Sequence, residues 1–156
     1  MPMRAGVFDQ FAHQAIRGSG TDVIYRYRDG SKTILSVILY PMKGEGESVG
    51  SETDRVRQEG SLFAQVLAYQ ASRGMLQSAR VMSQRMDPVA AGSTWIPTHV
   101  TVATTTRAGE TAYEFQYLHA IRGNFVKVRA TVSESAWPRS DLAAFDSSVV
   151  VSLAAR

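Results

Sequence analysis

The stretch from Thr98 to Ser133 limits the fold more than any other part of this 156-residue chain. It reads as three consecutive antiparallel strands whose register two turns should set. Gly123 and Asn124 tolerate the positive φ of a two-residue hairpin loop. Counting back from that loop sets Ile121 opposite Val126, His119 opposite Val128, Tyr117 opposite Ala130 and Phe115 opposite Val132. Counting from Arg107-Ala108-Gly109-Glu110 sets Val102 opposite Phe115 and Val100 opposite Tyr117. Both turns put the same apolar residues on one face. A slip of one residue at either would mix the faces.

The flanking segments supply the other elements. Residues 21–40 read as a hairpin with Asp29-Gly30 at the turn, and β-branched and aromatic residues fill both arms. Its second arm has Ile34, Ile38 and Tyr40 on one face and Leu35, Val37 and Leu39 on the other. A strand apolar on both faces calls for cover on both. Pro41 ends it. Residues 41–50 form a Gly- and Glu-rich loop without a phosphate-binding signature.

Residues 51–74 are the clearest helix. Ser51 and Asp54 make a capping box, Glu52 and Asp54 suit the positive end of the dipole, and Gly74 suits the C′ position. The buried stripe is Val56, Phe63, Val66, Leu67, Gln70 and Ala71. Gly60 costs this helix about 1 kcal/mol relative to Ala, which fits a close contact there.

A strand follows around residues 77–86 and stops at Asp87-Pro88. Residues 87–97 read as a loop. A second helix over residues 138–155 would start at Pro138, capped by Ser135 or Ser140, and bury Leu142, Phe145, Val149 and Leu153. Val149-Val150-Val151 also suits a terminal strand. The first 20 residues read as an edge strand, with a helical period as the alternative. The expected class is α+β: a three-layer α/β/α sandwich, one domain over residues 1–156, with a mainly antiparallel sheet covered by helices on both faces.

A chain of 17.1 kDa should bury roughly 70% of its unfolded surface, enough for a core without staples. It has no cysteine, which excludes disulfides and thiolate chemistry. The net charge of +3 is spread over scattered arginines rather than a stripe, which argues against nucleic acid as a partner. No apolar run reaches the ~20 residues of a membrane helix. No signal-peptide pattern opens the chain, so a cytoplasmic protein or a mature exported form is expected.

Candidate chemistry is sparse. Of three histidines, His119 falls on the core face and His99 on the reverse face, a surface or groove position, so these two cannot share a metal. No metal site and no cofactor are expected. No nucleophile motif or catalytic set is readable. Tyr113, Phe115 and Tyr117 alternate with polar residues and read as core rather than a stacking platform. The reverse face gathers one polar cluster of His99, Glu114, Gln116 and Arg129, with Thr131 beside them. These four are the candidate ligand-binding residues, since a Glu and a His on one face can exchange protons; the plainer reading is that they line the contact between the sheet and a covering helix, or face solvent.

This order of elements resembles the PsbP-like superfamily. Gly20-Thr21-Asp22-Val23-Ile24-Tyr25-Arg26-Tyr27, followed by Val37-Ile38-Leu39-Tyr40-Pro41, looks like the opening hairpin of its small exported bacterial members. Gly123-Asn124-Phe125-Val126-Lys127-Val128-Arg129 looks like their closing strands. The resemblance implies an α/β/α sandwich, a periplasmic or secreted location, no shared catalytic set, and binding or scaffolding of a protein or another envelope component.

Overall fold

A computed structural model describes residues 4–5, 8–16, 20–27, 34–42, 50–134 and 139–155, with the backbone alone through residue 34 and at 139–140. Its main sheet has eight strands in the order β1-β2-β3-β4-β10-β9-β8-β5, every neighbouring pair antiparallel. The strands are β1 (Arg4–Ala5), β2 (Phe8–Ile16), β3 (Gly20–Tyr27), β4 (Ile34–Pro41), β5 (Ser78–Met86), β8 (Thr98–Arg107), β9 (Glu110–Ile121) and β10 (Asn124–Ser133). A separate small hairpin pairs β6 (Val89–Ala91) with β7 (Thr94–Ile96). Two helices pack on the sheet, α1 (Glu52–Ser72) and α2 (Arg139–Ala154). The class is α+β.

Both hairpins of the β8–β9–β10 block turn on two residues of positive φ, the type I′ geometry that matches strand twist. Ala108 (49°) and Gly109 (79°) make the first, and Arg122 (50°) and Gly123 (73°) the second. The first gives the expected pairs Val102–Phe115 and Val100–Tyr117. The second turn lies one residue earlier than expected. Asn124 enters β10 opposite Ile121, and its Nδ2 donates to Arg122 O at 2.9 Å. The pairs become His119–Val126, Tyr117–Val128, Phe115–Ala130 and Tyr113–Val132. That is a slip of two residues, which changes partners and preserves faces.

Ala108 bears the steric cost of the left-handed region. Ala108→Asn, which tolerates that region, is expected to raise stability by about 0.5–1 kcal/mol, read as a higher urea midpoint at an unchanged m-value.

The main core lies on the face that carries Val100, Val102, Phe115, Val126, Val128 and Leu35. Leu142, Phe145, Val149 and Val150 of α2 close it. The last turns of α2 are therefore helical, and Val151 points outward at 49% exposure. On the reverse residues of the strands, Val56 clusters with Leu118, Ala120 and Phe125, and Phe63 and Leu67 cluster with Ala103.

The capping box of α1 forms as expected. Asp54 N–H donates to Ser51 Oγ at 3.3 Å and Ser51 N–H to Asp54 Oδ2 at 3.2 Å. The Ser51 hydroxyl, which donates to Asp54 Oδ2 at 2.8 Å, and then the Ser51 N–H hold the Asp54 carboxyl below its ordinary value. Gly74 takes a φ of +71° after the C-cap, Arg73. The buried line is Val56, Gly60, Phe63 and Leu67, and Val66, expected in it, is exposed.

α1 rests on β8, β9 and β5. In β4, accordingly, Leu35 and Val37 are fully buried, whereas Ile38 and Tyr40 on the other side are only half-buried. The reverse side of β4 is thus less covered than its apolar residues suggested. The first strands agree with a strand reading, although β2 is paired on both sides and β1 forms the edge. The Asp29-Gly30 turn, Pro138 and Ser135 lie outside the described residues, and Ser140, the other residue expected to cap α2, lies inside the helix.

Candidate functional site

The sheet positions two polar sets on opposite sides of β9. The first centres on His119, which is completely buried. Its Nε2 lies 2.7 Å from Oδ1 of Asp146 in α2, and its Nδ1 lies 2.8 Å from Oγ1 of Thr98 in β8. A carboxylate only accepts, so Nε2–H donates to Asp146. The Thr98 hydroxyl also reaches Ile96 O at 3.1 Å. Asp146 and Thr98 are buried as well. His119 lies on the core face as expected, packed and hydrogen-bonded. The bonds tie α2 to β9 and, through Thr98, to β8.

The second set contains the four candidate residues. Strand alternation and register place His99, Glu114, Gln116 and Arg129 on the reverse side, with Arg129 paired to Gln116 and Thr131 to Glu114. They share a face without hydrogen-bonding one another. His99, at 5% exposure, is not in a surface groove but beneath α1, where a Cβ on Gly60 would come within 2.4 Å of its ring. Gln116 is buried, and its Nε2 donates to Gly60 O at 3.5 Å. Glu114 accepts from Thr131 Oγ1 at 2.8 Å and Thr105 Oγ1 at 3.3 Å. Arg129 lays its guanidinium over the Phe63 ring, 4.8 Å from the centroid. The glycine of α1 is what lets helix and imidazole meet.

Burial, with help from the nearby Arg57 cation, pushes the His99 pKa below the ordinary 6.5. The fold therefore favours neutral His99. As pH falls below 6.5, the unfolded chain takes up a proton that the folded chain resists, so stability supplied above that value is lost. The unfolding free energy should drop more steeply between about pH 7.5 and about pH 5.5 in the wild type than in His99→Gln, as urea titrations at the two values would measure.

Beside α1, the Tyr40 hydroxyl donates to Glu59 Oε1 at 2.7 Å, and Lys127 Nζ reaches the same oxygen at 3.5 Å while lying over the Tyr40 ring. Desolvation, then the Glu59 carboxylate, raises the Tyr40 pKa well past the tyrosine range. Desolvation lowers that of Lys127 against the pull of Glu59. A cavity of about 320 Å³ opens where β7 meets the end of β9, lined by Trp95, Ile96, Pro97, Ile121 and Arg122 among others. Among the described residues, no three His, Asp or Glu side chains gather as metal ligands, and no helix is long and apolar enough to cross a membrane.

No family model matches the chain, and no curated protein matches it in sequence. The solution structure of cyanobacterial PsbP (CyanoP) from Synechocystis sp. PCC 6803 does match in three dimensions. The TM-score is 0.60, over 88% of this chain and 79% of that one, at 16% sequence identity. The fold is PsbP-like. At that identity the likeness concerns architecture alone.

Within the PsbP-like fold, sequence reasoning missed Asp146. The available signal was an acid inside an apolar run, four residues after Leu142 and next to Phe145, where a helix turns the same side inward. The β6–β7 hairpin was also missed. Val89-Ala90-Ala91 and Thr94-Trp95-Ile96 are too short to show alternation, although Gly92, at φ +63°, marked the turn.

Proposed function

We propose that the chain is a non-catalytic binding or scaffolding domain, a three-layer α/β/α sandwich with α1 and α2 on opposite faces, acting on a protein or other component of the bacterial cell envelope. The observation that carries this reading is the use made of the reverse-side polar residues. His99, the imidazole of the candidate acid–base pair, and Gln116 are both engaged in seating α1. Glu114 is tied by two threonine hydroxyls. The envelope location rests on the resemblance to small exported bacterial PsbP-like proteins.

The test is in-cell crosslinking followed by affinity capture from the source organism. A defined partner recovered at near-stoichiometric yield is the expected result. Recovery of no specific partner across growth conditions overturns the reading.

A second reading, a small-molecule binder, takes support from the cavity beside Trp95, whose volume of about 320 Å³ falls at the lower end of ligand pockets. Arg129 and Glu114, which are less buried than His99 and Gln116, do not line this cavity and would serve only a ligand on the reverse side of the sheet. Saturable quenching of Trp95 fluorescence by a small-molecule library, absent in Trp95→Ala, would favour it. A flat response would dismiss it.

A further inference from the structure

We infer that the flank of α1 facing β10 and β4 is a docking surface for an acidic amphipathic helix of a partner protein. This rests on the binding reading above and names its surface and partner chemistry. Glu59 fixes which way the flank looks, since it bonds Tyr40 of β4 and Lys127 of β10. Leu62 and Val66 follow at i+3 and i+7 from Glu59, and Tyr69 at i+10, so all three lie along the same side. They are exposed at 42%, 45% and 60%. One apolar residue at the surface means little, but three in line on one helix form an unburied seam. Beneath this side, α1 rests on β8, β9 and β5, and Ile38 of β4 is half-buried.

Arg129 stands at the foot of that seam. Its guanidinium is held over Phe63, which neighbours Leu62 and lies one turn before Val66. No carboxylate pairs with it among the described residues. Arg73, also exposed and without an ion pair among the described residues, closes the C-terminal end of the seam. An apolar stripe at i, i+4, i+7 is the pattern a second helix reads when it lies along the first. Cations at the side and end ask for carboxylates on that helix, which give orientation and rate of encounter as well as affinity.

The test uses two synthetic helical peptides of about 18 residues with the same leucine stripe, one flanked by Glu and its twin by Lys. Each is titrated into the ¹⁵N-labelled chain. The Glu peptide is expected to shift the amides of Leu62, Val66, Tyr69 and Arg129, and to bind at least about tenfold more tightly than its twin. Arg129→Glu should reverse that preference. The double variant Leu62→Gln/Val66→Gln, at exposed positions, should abolish the shifts with the fold intact by circular dichroism. Equal binding of the twins, shifts elsewhere, no binding, or indifference to these substitutions each overturns the inference. So does a residue-dependent self-association in light scattering, or residue-dependent sedimentation with anionic lipid vesicles. If the partner captured from cells is retained by the double variant, the surface is wrong and the binding role stands. If no partner is captured, the binding role itself fails.

Discussion

Asp146→Ala is expected to cost about 3–5 kcal/mol, the loss typical when one member of a buried charged or hydrogen-bonded pair is removed. The His119 ring stays in place, fully buried, and its Nε2–H loses the acceptor 2.7 Å away. No water can readily replace it, because Phe145, Val149 and Val126 crowd the same core. Against a total stability of about 5–15 kcal/mol, that is a large fraction. The melting temperature should fall on the order of 10 °C. Asp146→Asn keeps an acceptor oxygen and should lose less than half as much. The double variant His119→Phe/Asp146→Leu should recover most of the loss, since packed apolar groups can replace a buried polar pair at little net cost. Urea unfolding of the four proteins measures all of this. A loss below about 1 kcal/mol for Asp146→Ala would mean that the pair does not pin α2.

Gly60→Ala should destabilise the protein although Ala favours helix by about 1 kcal/mol. An added Cβ meets His99 Cγ and Nδ1 at 2.4 Å and His99 Cβ at 2.8 Å. The ring is buried between α1 and the sheet, so it cannot swing clear without moving the helix. Overpacking of this kind costs about 1–3 kcal/mol and outweighs the propensity gain. The helix contact itself supplies the control. In the background of His99→Gly, which removes the Cβ at 2.8 Å as well as the ring, the same substitution should become neutral or stabilising, a coupling that a double-mutant cycle reports directly. Additive effects would place the imidazole somewhere other than under Gly60.

The same contact shows what could be read from residues alone. A glycine midway along a helix signalled close approach, but not to what, because the partner lies 39 positions on, from Gly60 to His99, in another element. Local patterns gave local structure well. Ser51 and Asp54 located the start of α1, Gly74 its end, and Ala108-Gly109 the register of β8 on β9. At the next turn, Gly and Asn were both suitable for positive φ. The chain instead uses Arg122 and Gly123, and lets Asn124 bond back to Arg122 O. The face assignments survived, because a two-residue slip conserves alternation.

What propensity could not supply was the lateral position of α1. Val66 suits a buried stripe by spacing, and only the seat of the helix over β8, β9 and β5 turns it outward. The four candidate residues were correctly placed on one side of the sheet. A helix over this face was expected from the doubly apolar strand, but that α1 seats on His99 and Gln116 in particular is a tertiary fact without a sequence signal near either residue. The pairing of His119 with Asp146 was hidden for the same reason, with 27 positions between them.

The picture of the molecule depends on α1 staying seated over His99 and Gln116, so that its outer flank, the proposed docking surface, faces outward rather than the sheet beneath. Native-state amide hydrogen exchange tests this most directly. The amides of Val56, Phe63 and Leu67 should exchange with the same opening free energy as Leu118 and Ala120 of β9, through global unfolding only. Exchange in α1 that is several kcal/mol easier than in β9 would mark the helix as a lid that lifts by itself, and would contradict the account.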